Sequence, residues 1–518
     1  MDMFTAIGSF GPWQRYILAV FFYVNLIGIW QNLAMTFFAP NIPFRCIEPT
    51  DELAAFNETT FDNSCEVPVN STNTSVPCTR WQYDHSFYPE TIVSKWDLVC
   101  DREWLISLTN SVYMIGFLFS VLIFGQISDS FGRFPTVVIC FVFTIVSMFA
   151  TLKSVSFNMF LILRFLQAFG RTGLATVGIV LVLEIVGPQH RTETGVVIQI
   201  GWAAGFSTLA AVAWFFKDWF WLQMALSVPY IPLVLAYWLV PESPRWLLAK
   251  GKTKELQKLL KKAAKMNGKE LKIDAKDIQE MENKAQENQK SETIFYVLKW
   301  PRMRIRVLNL YYSWFVNSFL YYGLSFHTND LAGDPYLNFT LAGLLEFPSY
   351  LILYWGIKKR GRRPMLAVLM LVAAASCVAI SAVPQDLSWL RTSFAMLGKF
   401  CVTGSFGLLY IYTSELFPTV VRNITVGSCS MSARVGSIIA PFVRELGKVT
   451  HPVVPNLLFG FLALTSGLLG LLLPETKDQK LPDTLEDGEN FGEFPKEKND
   501  ENTRTENTFG TIRTINTH

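Results

Sequence analysis

Charge is scarce in this chain. Of its 518 residues only 17% are Asp, Glu, Lys or Arg, while 51% are hydrophobic and 14% aromatic, and the mean hydropathy is positive at +0.28. Soluble globular domains carry about 25% charged residues, so this composition does not describe a water-soluble protein, and the net charge of only +3 does not suggest a nucleic-acid partner. Histidine is scarcer still, with five residues at positions 85, 190, 327, 451 and 518, and none falls into a spacing that would hold a metal. No phosphate-cradling loop of the GxxxxGK[ST] type occurs, which removes an ATP-driven pump from consideration. No catalytic residue, metal or cofactor is expected, and the chain reads as a non-enzyme powered by gradients. A basic leader is missing as well: Asp2 stands near the start, and the first apolar run outlasts a signal-peptide core, so it is expected to remain as a helix.

Apolar sequence is what the chain has in quantity. Twelve stretches are long enough to cross about 30 Å of hydrocarbon, six within residues 16–240 and six within 303–473. The expected fold is an all-α membrane protein of twelve transmembrane helices, with an N-terminal bundle (16–240), a basic linker (241–302), a C-terminal bundle (303–473), a short N-terminus (1–15) and a polar, disordered tail (474–518). Lys and Arg gather at Arg133, Arg191, the linker, the 358–363 run and the tail; alternating helices put all of these on one side, which the positive-inside rule makes cytoplasmic, with both termini. Residues 40–103 then lie outside. They hold Cys46, Cys65, Cys78 and Cys100, which predicts two disulfides of open pairing, and the glycan acceptors Asn57, Asn70 and Asn73.

Internal repetition supplies the architecture. Gly132-Arg133 recurs as Gly361-Arg362, 229 residues on; Glu184 and Arg191 recur as Glu415 and Arg422, displaced by 231; Pro241-Glu242-Ser243 recurs as Pro474-Glu475-Thr476, displaced by 233. A near-constant offset over six helices means two parallel six-helix repeats, the plan in which substrate binds between halves near the midplane. Charges at repeated spacing also suggest gating: Asp129, Arg133, Glu184 and Arg191 in one half, Arg362, Glu415 and Arg422 in the other, with Glu242 and Arg245 after the sixth helix, pairing when the cytoplasmic side closes.

Three charged residues fall deep inside helices. Arg434 lies twelve residues past Arg422, Glu346 twelve before Lys358 and Arg171 thirteen before Glu184, so each sits about 18 to 20 Å from the cytoplasmic edge. An arginine at that depth costs at least about 2.5 kcal/mol unless it faces a partner, a ligand or water. Arg434 and Glu346 therefore read as pathway residues able to hold the two ends of a zwitterion or each other. Arg164 shares the helix of Arg171, and either could pair with an acidic neighbour. Lys399, about 24 Å from Glu415 along its helix, reads as a snorkelling interfacial residue and not as a site.

The loop Gly125-Gln126-Ile127-Ser128-Asp129-Ser130-Phe131-Gly132-Arg133 and the segment Pro241-Glu242-Ser243-Pro244-Arg245-Trp246-Leu247 resemble the two signatures of the major facilitator superfamily. With the four-cysteine loop, Ser414 to Asn423 and Arg434 to Pro441, the chain looks like an organic ion transporter of the solute carriers. The resemblance implies transport by alternating access of a small organic ion at the plasma membrane, in contact with lipid. Glu346 is similar to the cation carriers of that family, Arg434 to its anion and carnitine carriers, and Tyr350 stands where anion carriers tend to have Lys. Asn32, after Gln31, resembles anion carriers. Trp314, Tyr321 and Tyr322 resemble the family's aromatic binding positions, and Trp202, Phe406 and Tyr410 supply further walls. Arg171 stands where sodium-coupled carnitine carriers have an amide, which counts against sodium coupling. The expected substrates are cations or zwitterions, carnitine-like or amine-bearing. An organic anion exchanger using Arg434 and Arg171 together is the alternative, and a non-transporting receptor with the outer loop as its ligand-binding part is the reading from another class.

Overall fold

The computed structural model describes residues 3–48, 61–68, 75–237, 240–270, 280, 294–326, 333–384, 386–479, 481–482 and 484–491. Asn57, Asn70 and Asn73, and the tail beyond Phe491, lie outside the described residues. Among the described residues twelve long helical units carry the chain through the fold. They are α1 (Pro12–Leu33), α2 (Trp104–Phe131), α3 (Arg133–Thr151), α4 (Phe157–Ile185), α5 (Arg191–Phe215), α6 (Trp219–Leu235), α7 (Pro301–Phe326), α8 (Pro335–Arg360), α9 (Arg362–Ala382), α10 (Ser388–Leu416), α11 (Thr419–Ile439) and α12 (Val454–Gly470). Among the described residues nine helices are apolar and long enough to cross a membrane unaided. The other three are α6 and α12, which are short, and α7, whose start carries Arg302, Arg304 and Arg306. The unit α8 is stepped at Leu345, so that Glu346 opens its second segment, Glu346–Arg360.

The same packing appears twice. Helix pairs α1–α5, α3–α4, α2–α4, α3–α6 and α1–α4 recur as α7–α11, α9–α10, α8–α10, α9–α12 and α7–α10. Even the closest backbone approaches repeat: a Cβ on Gly205 of α5 would lie 2.1 Å from the Leu26 carbonyl oxygen of α1, and one on Gly436 of α11 would lie 2.4 Å from the Phe315 carbonyl oxygen of α7. The two glycines are 231 residues apart, the offset of the repeat. The halves meet through α2 against α11 and α5 against α8.

Between α1 and α2 the loop forms two antiparallel ribbons, β1 (Phe44–Glu48) with β4 (Arg80–Tyr83) and β2 (Glu66–Pro68) with β3 (Ser75–Pro77). Cys46 is bonded to Cys78 and Cys65 to Cys100, which settles the pairing that the sequence leaves open. Tyr83 of β4 is buried in the core of this face with Phe44 and Trp81 packed against it, and the two crosslinks add to the restraint of ribbons this short.

On the opposite, basic face the linker helix Thr253–Met266 is amphipathic: Leu256, Leu260, Ala263 and Ala264 turn onto the protein while Lys254, Lys261, Lys262 and Lys265 are exposed, and Asn267 accepts the Trp13 N–H at the start of α1 (3.0 Å). The tail does not become disordered at residue 474: Leu485–Asn490 is helical. The Glu489 carboxylate accepts the N–H groups of Arg302 (2.9 Å) and Met303 (3.0 Å), two of the donors that the first turn of α7 leaves without intrahelical partners.

Candidate substrate site and the helix cages

The charges forecast for one central layer are found in the interior, but not as forecast partners. Glu346 is fully buried. Its Oε1 accepts the Tyr321 hydroxyl at 2.6 Å and lies 3.7 Å from the Lys399 ammonium, while Oε2 has no hydrogen-bond partner. Lys399 is therefore not a snorkelling residue. It is 3% exposed, sits 3.3 Å from the centroid of the Tyr321 ring and donates to the Ser325 hydroxyl. Helix α10 has 29 residues and is about 43 Å long, longer than the hydrocarbon, so distance from one end does not fix depth; from Ser388 the lysine is about 16 Å in.

Arg434 is half-buried, makes no ion pair among the described residues and lies over the Phe117 ring at 4.2 Å. Phe117 belongs to α2 and so brings a ring of the N-terminal half under a guanidinium of the C-terminal half. Arg171 lies 5.9 Å from the same ring and 5.7 Å from Trp202. Its Nη1 donates to Asn32 Oδ1 at 2.9 Å. Neither Arg171 nor Arg164 has an acidic partner among the described residues; Arg164 is held by Gln31 and Gln167 and stacks on Tyr113.

The forecast aromatics come together as one wall. The Trp314 ring meets Tyr410 at 4.4 Å and Phe406 at 5.8 Å; Tyr321 stacks on Phe406 at 6.0 Å and touches Tyr322 at 5.3 Å. Trp314 also donates its indole N–H to Thr413 (3.0 Å), and Trp202 donates to the Tyr321 hydroxyl (3.0 Å) across the junction between halves. Tyr350 packs near Gly407 of α10, where an added Cβ would sit 3.2 Å from its ring. Phe117 and Ser325 went unread in the sequence, since a lone Phe or Ser in an apolar helix carries no positional signal.

On the basic face each half builds the same cage. Arg133 holds Glu184 through two bonds of 3.0 Å and Asp129 at 2.7 Å, while Glu242 accepts the Arg133 backbone N–H at 2.8 Å. Arg362 holds Glu415 at 2.8 Å, and Glu475 accepts the backbone N–H groups of Arg362 and Arg363 at 2.9 and 3.0 Å. A carboxylate thus caps the first turn of α3 and of α9. Gly132 (φ +115°) and Gly361 (φ +93°) make the tight turns, and a Cβ would lie 2.4 and 2.6 Å from the capping carboxylates. Two residues assigned to gating, Arg191 and Arg422, make no ion pair with the cage carboxylates among the described residues: both have buried guanidinium nitrogens without a hydrogen-bond partner there, and Arg422 donates to the Phe417 carbonyl. Arg245 lies over the Phe4 ring.

At the disulfide face the halves are clasped. Glu103, at the start of α2, lies 2.5 Å from Lys448 and 3.5 Å from Arg444, Ser107 donates to Glu445 (2.9 Å), and Arg444 donates to Asn41 (3.0 Å).

The chain matches the family described as Sugar (and other) transporter over residues 55–486. It is 37% identical to the organic cation transporter protein of Drosophila melanogaster, with 95% of each chain covered. The chain belongs to the organic ion transporters of the solute carriers. It is also 36% identical to solute carrier family 22 member 3 of Rattus norvegicus, covering 80% of this chain and 75% of that one, and 36% identical to the beta-alanine transporter of Drosophila melanogaster, covering 80% and 69%. The fold agrees with the inward open xylose transporter XylE from E. coli at a TM-score of 0.61, with 92% and 100% covered and 15% identity. This organic ion transporter is thus a multi-pass membrane protein of the major facilitator fold and not an enzyme.

Proposed function

We propose that this transporter carries small organic ions that pair a carboxylate with an amine, carnitine-like or amino-acid-like, across the plasma membrane by alternating access. The observation that carries this reading is the charge balance of the interior. Glu346 and Lys399 offset one another, while Arg434 is partly open and makes no ion pair among the described residues. A carboxylate suits a guanidinium through two parallel hydrogen bonds, which favours a substrate with an anionic end over a plain cation. Glu346 keeps one oxygen, Oε2, for an amine that competes with Lys399, and the ring wall from Trp314 to Tyr322 adds cation–π attraction of about 0.5 to 2 kcal/mol. The relative named for beta-alanine, itself a zwitterion, agrees with this reading.

In the same reading the disulfide loop faces outward, both termini are cytoplasmic and Asn57, Asn70 and Asn73 accept glycans; crosslinked cysteines support that orientation. Each cage ties helices of its own half into one rigid body, and the Glu103–Lys448 clasp is the outer gate. A second reading, organic anion exchange, is supported by Arg171 and Arg434 sharing Phe117.

Tracer uptake in cells expressing the wild type, Glu346→Gln and Arg434→Ala, normalised to surface expression, separates these readings. Zwitterion uptake lost in Arg434→Ala and weakened in Glu346→Gln supports the two-ended site. Carriage of a dicarboxylate alone, indifferent to Glu346→Gln, would replace it with anion exchange, and no flux of any class would favour a receptor.

A further inference from the structure

Arginine does not give up its proton inside a protein, so a buried guanidinium keeps its charge and needs an opposing one. Helix α4 carries two, Arg164 and Arg171, at 0% and 2% exposure. Among the described residues neither meets a carboxylate. They join a neutral network instead. Asn32 Oδ1 accepts both the Tyr113 hydroxyl (2.8 Å) and Arg171 Nη1 (2.9 Å), and Arg164 lies over the Tyr113 ring at 4.3 Å.

That network runs out of acceptors. Asn32 Nδ2, Arg164 Nε, and Arg171 Nε and Nη2 are buried without a hydrogen-bond partner. The free edge of Arg171 lies over Gly28, one turn before Asn32 on α1, where an added Cβ would meet Nε and Nη2 at 2.8 Å each. The missing side chain therefore leaves the guanidinium its present place, in which these N–H groups are unsatisfied. Buried polar groups are nearly always paired, and surplus donors beside surplus positive charge lack one thing, a small anion that is both acceptor and counter-charge.

We propose that Arg171 and Asn32, backed by Arg164 through Tyr113, form an anion site in the N-terminal half, across the Phe117 ring from Arg434, that takes a small monovalent anion. Chloride from solution and the carboxylate end of a solute share the required chemistry. The site stands apart from the assignment of Glu346 and Arg434, and binding reads it without transport.

The test is thermal unfolding of the purified full-length protein in detergent, in sorbitol–HEPES buffer without small anions, titrated with sodium chloride or sodium acetate. The wild type and Arg434→Ala should each gain about 3 °C in Tm at saturation; Arg171→Gln should gain less, and Arg171→Gln combined with Arg434→Ala should gain nothing. A response to chloride alone assigns the site to an inorganic ion, and a response to acetate alone assigns it to a substrate carboxylate. Asn32→Asp, which installs a fixed carboxylate beside Arg171, should be insensitive to both salts and stable without them; this variant decides the matter if Arg171→Gln does not fold. No response in the wild type, or an undiminished response in Arg171→Gln or Asn32→Asp, overturns the proposal.

Discussion

Glu346 and Lys399 form a buried ion pair across 3.7 Å, joining α8 to α10 with Tyr321 donating to the same carboxylate oxygen. Removing one member leaves the other charged and buried, a loss of about 3 to 5 kcal/mol, whereas an apolar pair of similar volume is often neutral. Lys399→Met should therefore lower the Tm of the purified protein sharply, and Glu346→Leu combined with Lys399→Met should restore most of it while uptake stays absent. A Tm for the double variant as low as for Lys399→Met would show that the pair contributes more than mutual neutralisation.

The repeated close approaches make a prediction about packing. Gly205→Ala and Gly436→Ala each drive a methyl into a backbone carbonyl of the neighbouring helix, and backbone cannot yield as a side-chain tip can. Each substitution should cost about 1 to 3 kcal/mol. Gly28→Ala, whose methyl meets side-chain nitrogens of Arg171 at 2.8 Å and no backbone atom, should cost less than either. Equal losses at all three positions would contradict this account.

The cages give a paired prediction. Glu242→Gln and Glu475→Gln keep an acceptor for the α3 and α9 N–H groups but lose the charge that favours a helix N-terminus, so each should lose about 0.3 to 1 kcal/mol. Gly132→Ala and Gly361→Ala should lose more, because strain at a positive φ adds about 1 to 3 kcal/mol to the collision with the carboxylate. Thermal melts of the four variants give the order.

The clasp at the disulfide face predicts rescue by charge reversal. Lys448→Glu sets three carboxylates together with Glu103 and Glu445 and should slow uptake; adding Glu103→Lys should recover much of it. Labelling of a cysteine placed in the central wall by a membrane-impermeant reagent should rise in Lys448→Glu and fall again in the double variant. Unchanged labelling would remove Glu103 and Lys448 from gating.

Helix count and the repeat were legible in the sequence because hydropathy and a fixed offset are properties of one dimension. Arg434, Glu346 and Arg171 were legible as interior residues for the same reason. Their partners were not: Glu346 meets Lys399 from a helix 53 residues on, and Arg434 meets Phe117 from the other half, contacts set by helix rotation and crossing. The cages were half legible. Repeated Glu and Arg announced pairing, but only the fold revealed that the pairs close within a half, that Glu242 and Glu475 cap helices, and that Arg191 and Arg422 make no ion pair with the cage carboxylates among the described residues. The tail misled because its polar composition hid Glu489, whose role is to cap α7.

The central claim is that Arg434 receives the carboxylate of a transported zwitterion. Counterflow of labelled beta-alanine or carnitine into proteoliposomes holding the purified protein tests it most directly. The wild type should accumulate the label transiently, Arg434→Ala should not, and the esterified substrate, lacking the carboxylate charge, should fail to drive the wild type. Full counterflow in Arg434→Ala, or equal driving by the ester, would contradict the account.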